Sequence, residues 1–230
     1  MSRIALLTAI ASLAISLPAS AETKTYNLEN FEKISASAGV SVTFEAGDTQ
    51  SIIAENKNNN FEKLVLETRG DTLVISRESS GLFGNRNREN YSVRIIAPAI
   101  SGIESSSGSS VSATGLKGDE VKLSSSSGST LKAMSIDAGY VSIKASSGSD
   151  LDAYGNCSSV KLSSSSGSSI DADKLVCASV VATASSGSSL KAHATSTVEG
   201  NASSGASVKV VGGATDIEKN RSSGGSVTIT

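Results

Sequence analysis

The chain has 230 residues, a formal net charge of −2, 3% aromatic residues, one His, two Cys and no Trp. That inventory excludes a basic nucleic-acid footprint, a multi-histidine metal site and a disulfide-dense scaffold. Hydrophobic residues make up 38%, less than in an ordinary globular domain but far more than in a disordered chain.

The first segment reads as an address. Met1–Arg3 supplies a positive start, Ile4–Leu17 is an uncharged apolar run, and Ala19 and Ala21 are small residues where a signal peptidase reads. Residues 1–21 are expected to be a secretory signal peptide, with Glu22 first in the mature chain. The apolar run is short of the ~20 residues that span a bilayer, and Pro18 closes it, which argues against a retained membrane helix. Loss of Arg3 takes the charge from −2 to −3. The expected product is exported, periplasmic or secreted to the cell surface, with no transmembrane segment in the mature chain.

Residues 22–100 hold all four Phe, together with Tyr26 and Tyr91. Strand-like stretches are Gly39–Phe44, Ser51–Glu55, Lys63–Glu67, Thr72–Arg77 and Tyr91–Ala97. Turn-forming residues separate them at Ala46–Asp48, Asn56–Asn60 and Arg69–Asp71. The segment is expected to form wider, less regular coils that cap a solenoid. A separate small β domain is the alternative.

Residues 101–230 repeat. A Ser-Ser-Gly core recurs with its glycine at positions 108, 128, 148, 167, 187, 205 and 224, spaced 18 to 20 residues apart. Apolar residues keep fixed offsets from each glycine, which a low-complexity linker has no reason to do. Three residues after it stand Val111, Leu131, Leu151, Ile170, Leu190, Val208 and Val227; seven before it, from the second copy on, stand Val121, Val141, Val160, Val180, Val198 and Ile217. Alternation at period two marks strands with one buried face. No window shows the helical period, and the ladder of leucine-rich repeats is missing. A unit of about 20 residues buries its apolar face only by stacking on its neighbours. The reading is an all-β, single-chain parallel β-helix, right-handed by the usual chirality of parallel connections. Leu116, Ile136 and Leu175 suggest a third short wall. Alternation also predicts that both serines flanking each glycine, such as Ser107 and Ser109, face inward and form self-satisfying hydroxyl ladders from coil to coil.

The succession Phe31–Ile34, Gly39–Phe44, Gly70–Ile75 and Ile100–Ile103, followed by the Ser-Gly-Ser units, resembles the bacterial autotransporter-adhesin head (GIN) domain family. The resemblance spans the mature chain. It implies an exported bacterial β-solenoid used in adhesion or surface binding, and it brings no catalytic residues.

Candidate chemistry is sparse. Asp150, Asp152 and Asp171 fall on one face of adjacent coils, with Asp173 nearby, and form a weak candidate metal site for Ca²⁺ or an acid/base pair. Lys132 and Lys191 share the offset of Asp152 and Asp171, so a Lys-Asp-Asp-Lys charge ladder is the competing reading. Cys157 and Cys177 fall on successive coils and are a disulfide candidate for an oxidising compartment; inward reduced thiols are the alternative. His193 is read as a solvent-facing or turn residue. Ser79–Asn90, with Phe83, Arg86 and Arg88, is the candidate binding loop. Ser110, Thr130, Asp150, Ser169, Ser189, Ser207 and Ser226 form an outward hydroxyl column, although aromatic platforms for sugars are lacking. The expected function is a non-enzymatic adhesin-like module presenting a rigid polar surface to a surface glycan or protein, without cofactors or nucleic acid. A carbohydrate-active β-helix enzyme is the alternative, and end-to-end self-association through the last coil is a third option.

Overall fold

A computed structural model describes residues 22–78 and 89–230 as strands and turns without helix. The elements of the first part are β1 (Glu22–Thr25), β2 (Lys33–Ala36), β3 (Ser41–Ala46), β4 (Ser51–Asn56), β5 (Leu64–Arg69), β6 (Thr72–Arg77) and β7 (Ser92–Ala97). The repeating part contains β8 (Gly102–Ser105), β9 (Ser110–Thr114), β10 (Lys117–Ser125), β11 (Thr130–Ala145), β12 (Asp150–Ser164) and β13 (Ser169–Ala184). β14 (Ser189–Ala202), β15 (Ser207–Val211), β16 (Asp216–Arg221) and β17 (Ser226–Ile229) complete it.

The coils stack in parallel with one residue directly over the next. Leu131, Leu151, Ile170 and Leu190 are successive in-register partners. Their column runs on without a gap from Val93 through Val42 and Val111 at one end to Val208 and Val227 at the other. All nine side chains are buried. Burying a side chain of this size contributes about 1.5–3 kcal/mol, so the column is a main source of cohesion. Leu116, Ile136 and Leu175 are buried in a third wall, as their offsets suggest.

Stacking order departs from chain order in the first part. β2 and β3 form one layer that pairs in parallel with β8 and β9, so Ile34 meets Ile103 and Val42 meets Val111. Beyond it, β6 and β7 form a further layer, paired in parallel with β2 and β3. The chain therefore lays down the second layer, leaves to build the first, and returns to continue with the third. β5 pairs antiparallel with β6, β4 with β7 and β1 with β4, so the parallel stack ends here in strands of opposite direction.

The Ser-Gly corner corrects one expectation. In every repeat the serine before the glycine and the glycine itself have positive φ, as at Ser107 (52°) and Gly108 (72°), and Ser109 N–H donates to the Ser106 carbonyl at 3.1 Å. Two central residues in the left-handed region define a type I′ turn. Two left-handed residues break the in-out alternation. Ser107, Ser127, Ser147, Ser166 and Ser186 consequently point to solvent, while Ser109, Ser129, Ser149, Ser168 and Ser188 are buried. The inward neighbours of these buried hydroxyls are Ser105, Ser125 and Ser164, three residues before their glycines.

The interlayer hydrogen bonds also run differently from hydroxyl-to-hydroxyl ladders. Ser129 Oγ donates to the Ser105 carbonyl of the preceding coil at 2.7 Å and accepts from Ser126 N–H at 3.1 Å. Ser149 and Ser188 repeat this on the carbonyls of Ser125 and Ser164. Each corner glycine N–H from Gly108 to Gly205 donates to the carbonyl of the exposed serine in the next coil, as Gly128 does to Ser147 at 3.1 Å. The hydrogen-bonded stack thus continues through the corner, which satisfies backbone groups that a looser turn would leave to water.

Candidate functional site

The outward side of the strands that follow the Ser-Gly corner is regular from layer to layer. Ser110, Thr130, Asp150, Ser169, Ser189, Ser207 and Ser226 stack in register. Ser41 and then Ser92 extend that column across the non-consecutive layers. Eight of nine successive layers therefore present a hydroxyl, Asp150 being the exception. Adjacent strands lie about 4.8 Å apart, so the rise between hydroxyls is set by backbone pairing. Ser41 and Ser92 escape a reading of the repeats because they precede them in the chain.

The neighbouring outward column contains Lys132, Asp152, Asp171, Lys191 and Lys209 in register. Its two halves differ. Lys191 Nζ donates to Asp171 Oδ2 at 2.8 Å. Partial burial pushes the Asp171 carboxyl up, but the hydrogen bond and charge of Lys191 and the backbone N–H of Asp173 outweigh it and hold the group below the ordinary carboxylate range. Asp152 is raised, first by partial burial and then by the adjacent Asp171 charge. Lys132 instead places its ammonium 5.5 Å from the centre of the Tyr154 ring, and Lys174 lies 5.6 Å from the same ring. Contacts of this kind contribute about 0.5–1 kcal/mol at exposed positions.

Among the described residues no group of three or more His, Cys, Asp or Glu converges as a set of metal ligands. Asp150, Asp152 and Asp171 share a face, but in a flat sheet rather than an enclosing loop. The acidic pair reads chemically as a partly neutralised ladder.

Tyr154 is the aromatic group that sequence reasoning passed over. The coil that carries it is one residue shorter than its predecessor, and Gly155 takes the place of the large residue in the third wall. A Cβ on Gly155 would lie 2.1 Å from the Ile136 carbonyl oxygen, and its φ is +144°, so only glycine fits. Beside it lies a shallow hollow of about 540 Å³ edged by Lys117, Ser135, Asp137, Tyr154 and Asn156. A half-exposed ring with amide, carboxylate and ammonium groups around a hollow is suited to stacking and hydrogen-bonding a polar ring. The signal available in the sequence was the single-residue shortening of this repeat.

Cys157 and Cys177 are in-register partners with Cα atoms 4.6 Å apart, and their sulfurs are bonded. The bond staples two consecutive coils, a loop length for which the chain-entropy model gives about 3 kcal/mol. His193 lies half-buried in β14, where its Nδ1 donates to the Asp173 carbonyl at 3.2 Å, a structural contact. Phe83, Arg86 and Arg88, the candidate binding loop, lie outside the described residues, as does the leader 1–21. No helix among the described residues is long and apolar enough to cross a membrane.

A family model described as "Putative auto-transporter adhesin, head GIN domain" matches residues 30–214. The chain belongs to this family. The GIN domain shares its fold with solved structures that cover nearly all of it. A "putative adhesin" from Bacteroides fragilis NCTC 9343 is 17% identical with a TM-score of 0.82, covering 92% of this chain and 97% of that one. A "putative lipid binding protein" from Parabacteroides distasonis ATCC 8503 is 15% identical with a TM-score of 0.70, covering 93% and 98%. A "putative adhesin" from Parabacteroides merdae ATCC 43184 is 13% identical with a TM-score of 0.72, covering 93% and 97%. At these identities the likeness is one of fold. No curated protein matches the chain.

Proposed function

We propose that this GIN domain is an exported, non-enzymatic adhesion module that attaches to cell-surface glycans through its hydroxyl-bearing face. The observation that carries the reading is the nine-layer outward column from Ser92 to Ser226. A rigid row of identical groups binds a repeating polymer by many weak contacts, and the affinity comes from their number, because engaging one contact raises the effective concentration of the next. Tyr154 and its hollow supply an aromatic edge to the same face, where a sugar ring can stack. The adhesin description of the family supports the assignment. The leader read in residues 1–21 supplies the route out of the cytoplasm, and the Cys157–Cys177 bond suits an oxidising compartment.

The test is a glycan array and a cell-binding assay with the mature protein, run beside Ser110→Glu/Ser169→Glu/Ser189→Glu and Tyr154→Ala. The reading expects retention by wild type on a defined glycan set and loss in both variants. Equal retention by wild type and the triple variant would remove the hydroxyl face from the function. Release of new reducing ends from the bound glycan would overturn the non-enzymatic assignment.

A further inference from the structure

The strands that precede the Ser-Gly corner carry a different outward pattern. One column reads, layer by layer, Lys33, Gly102, Lys122, Ser142, Lys161. A lysine thus stands at every second coil, and the intervening residues are small. Two coil rises amount to about 9.6 Å. Lys144 occupies the adjacent column in the same layer as Ser142, between the levels of Lys122 and Lys161. The column then changes character, passing through Val181 to Glu199 and Glu218. The basic strip is therefore bounded, and it lies on a chain whose net charge is negative.

The strip is also concave. Gly102 leaves a groove of about 480 Å³ lined by Lys33, Glu104, Lys122, Ser142 and Lys144. A Cβ at Gly102 would come within 3.2 Å of the Lys33 side chain, so the missing side chain gives Lys33 room to lie across the floor. Lys33 and Lys122 are paired at the surface with Asp71 (2.8 Å) and Glu120 (2.9 Å). Exposed pairs of this kind are weak and exchange readily for a ligand anion. Among the described residues Lys144 and Lys161 have no ion-pair partner. Glu104 is the one carboxylate lining the groove, and it opposes an anion placed directly over Gly102.

We infer that this face binds a linear acidic polysaccharide bearing one anionic group per disaccharide. Ammonium groups two coils apart match the recurrence of charge along an extended chain of that type, which runs parallel to the solenoid axis. Its anions sit at the levels of Lys33, Lys122 and Lys161, with Lys144 reaching the glycosidic span between the last two. Ser124, Ser142 and Ser163 hydrogen-bond the neutral sugars. The site lies on a different side of the coils from the hydroxyl column, so it stands or falls separately.

Hyaluronan oligosaccharides, with one carboxylate per disaccharide, are titrated calorimetrically into the mature protein, with dextran as the neutral control. Lys122→Ser/Lys144→Ser/Lys161→Ser is expected to weaken hyaluronan binding at least about tenfold, whereas replacement of the same lysines by Arg retains it. Serine already occupies positions in both columns, so circular dichroism of the triple variant should match wild type. Binding should weaken at high salt. Dextran binding as tight as hyaluronan, no hyaluronan binding by wild type, or an equal loss from Lys132→Ser/Lys191→Ser/Lys209→Ser on the other wall would each overturn the assignment.

Discussion

The two ends of the solenoid solve the same problem by different means. A stacked sheet must stop somewhere, and its last strands offer unpaired backbone groups to any other chain. At the end built from residues 22–97, β5, β4 and β1 pair antiparallel beyond the parallel layers. At the other end nothing in the described chain lies over β16 and β17. There the inward positions that hold Leu162 and Ser164 three coils earlier, and Ala182 and Ala184 two coils earlier, are filled by Lys219 and Arg221. Every residue of β16 is exposed, including Ile217 at 42%. Inward-pointing charge is a recognised way of blunting an edge. One end thus stops the parallel stack by a change of strand direction and the other by side-chain charge, while the coils between depend on neither.

That contrast predicts a gradient of mutational cost. Leu151→Ala, in the middle of the buried column, is expected to lose about 2–5 kcal/mol, and Ile217→Ala at the open end less than about 0.5 kcal/mol, as read from urea unfolding. Similar losses at the two sites would break the distinction between interior and end. Reduction of Cys157–Cys177, also in mid-stack, is expected to cost about 3 kcal/mol. Unfolding with and without reductant, alongside intact mass, checks it.

The corners sharpen the comparison further. Most coils bury at least one serine beside the glycine turn, but the coil of Gly205 has Ala202 and Ala206 in both inward corner positions. Ser129→Ala alone takes from Ser125 Oγ its hydroxyl partner at 2.9 Å, while the Ser126 N–H and the Ser105 carbonyl stay bonded to each other, and is expected to cost about 0.5–1.5 kcal/mol. Adding Ser125→Ala recreates the alanine corner, and the double variant should cost less than the sum of the singles. Strict additivity would show that these hydroxyls do not act as a unit. The smallest expected effect is on association. Lys219→Val/Arg221→Val removes the inward charges and should populate end-to-end dimers in light scattering at concentrations where wild type is monomeric.

Much of the stack is legible in the sequence. Constant offsets from the repeated glycine placed Leu131, Leu151 and Ile170 in one column, because a strand of fixed pleat stacked at fixed rise forces equal offsets to coincide. Four expected strands in residues 22–100 overlap β3, β4, β5 and β7, and the fifth matches β6. The orientation of Ser107 and its equivalents was misread, since period-two counting assumes extended backbone and fails across two left-handed residues. The place of β2 and β3 was also hidden. Gly39 has φ of 75° behind Ala38 at 61°, the same corner as in the repeats, but it lies 69 residues before Gly108 and lacks the serine directly before the glycine that marks the others. Long-range pairing of this kind leaves no local trace. Of the candidate groups, the hydroxyl column was legible only from Ser110 onward, and Tyr154 was overlooked because its exposure depends on a shortened coil.

The central claim is that nine layers, including two laid down out of chain order, form one continuous stack. Spin labels placed at Ser92 and Ser226, the two ends of the outward column, test it by pulsed dipolar spectroscopy. Eight rises predict a single narrow distance distribution near about 38 Å. A broad distribution, or a narrow one far from that value, would mean that the first layers do not continue the stack.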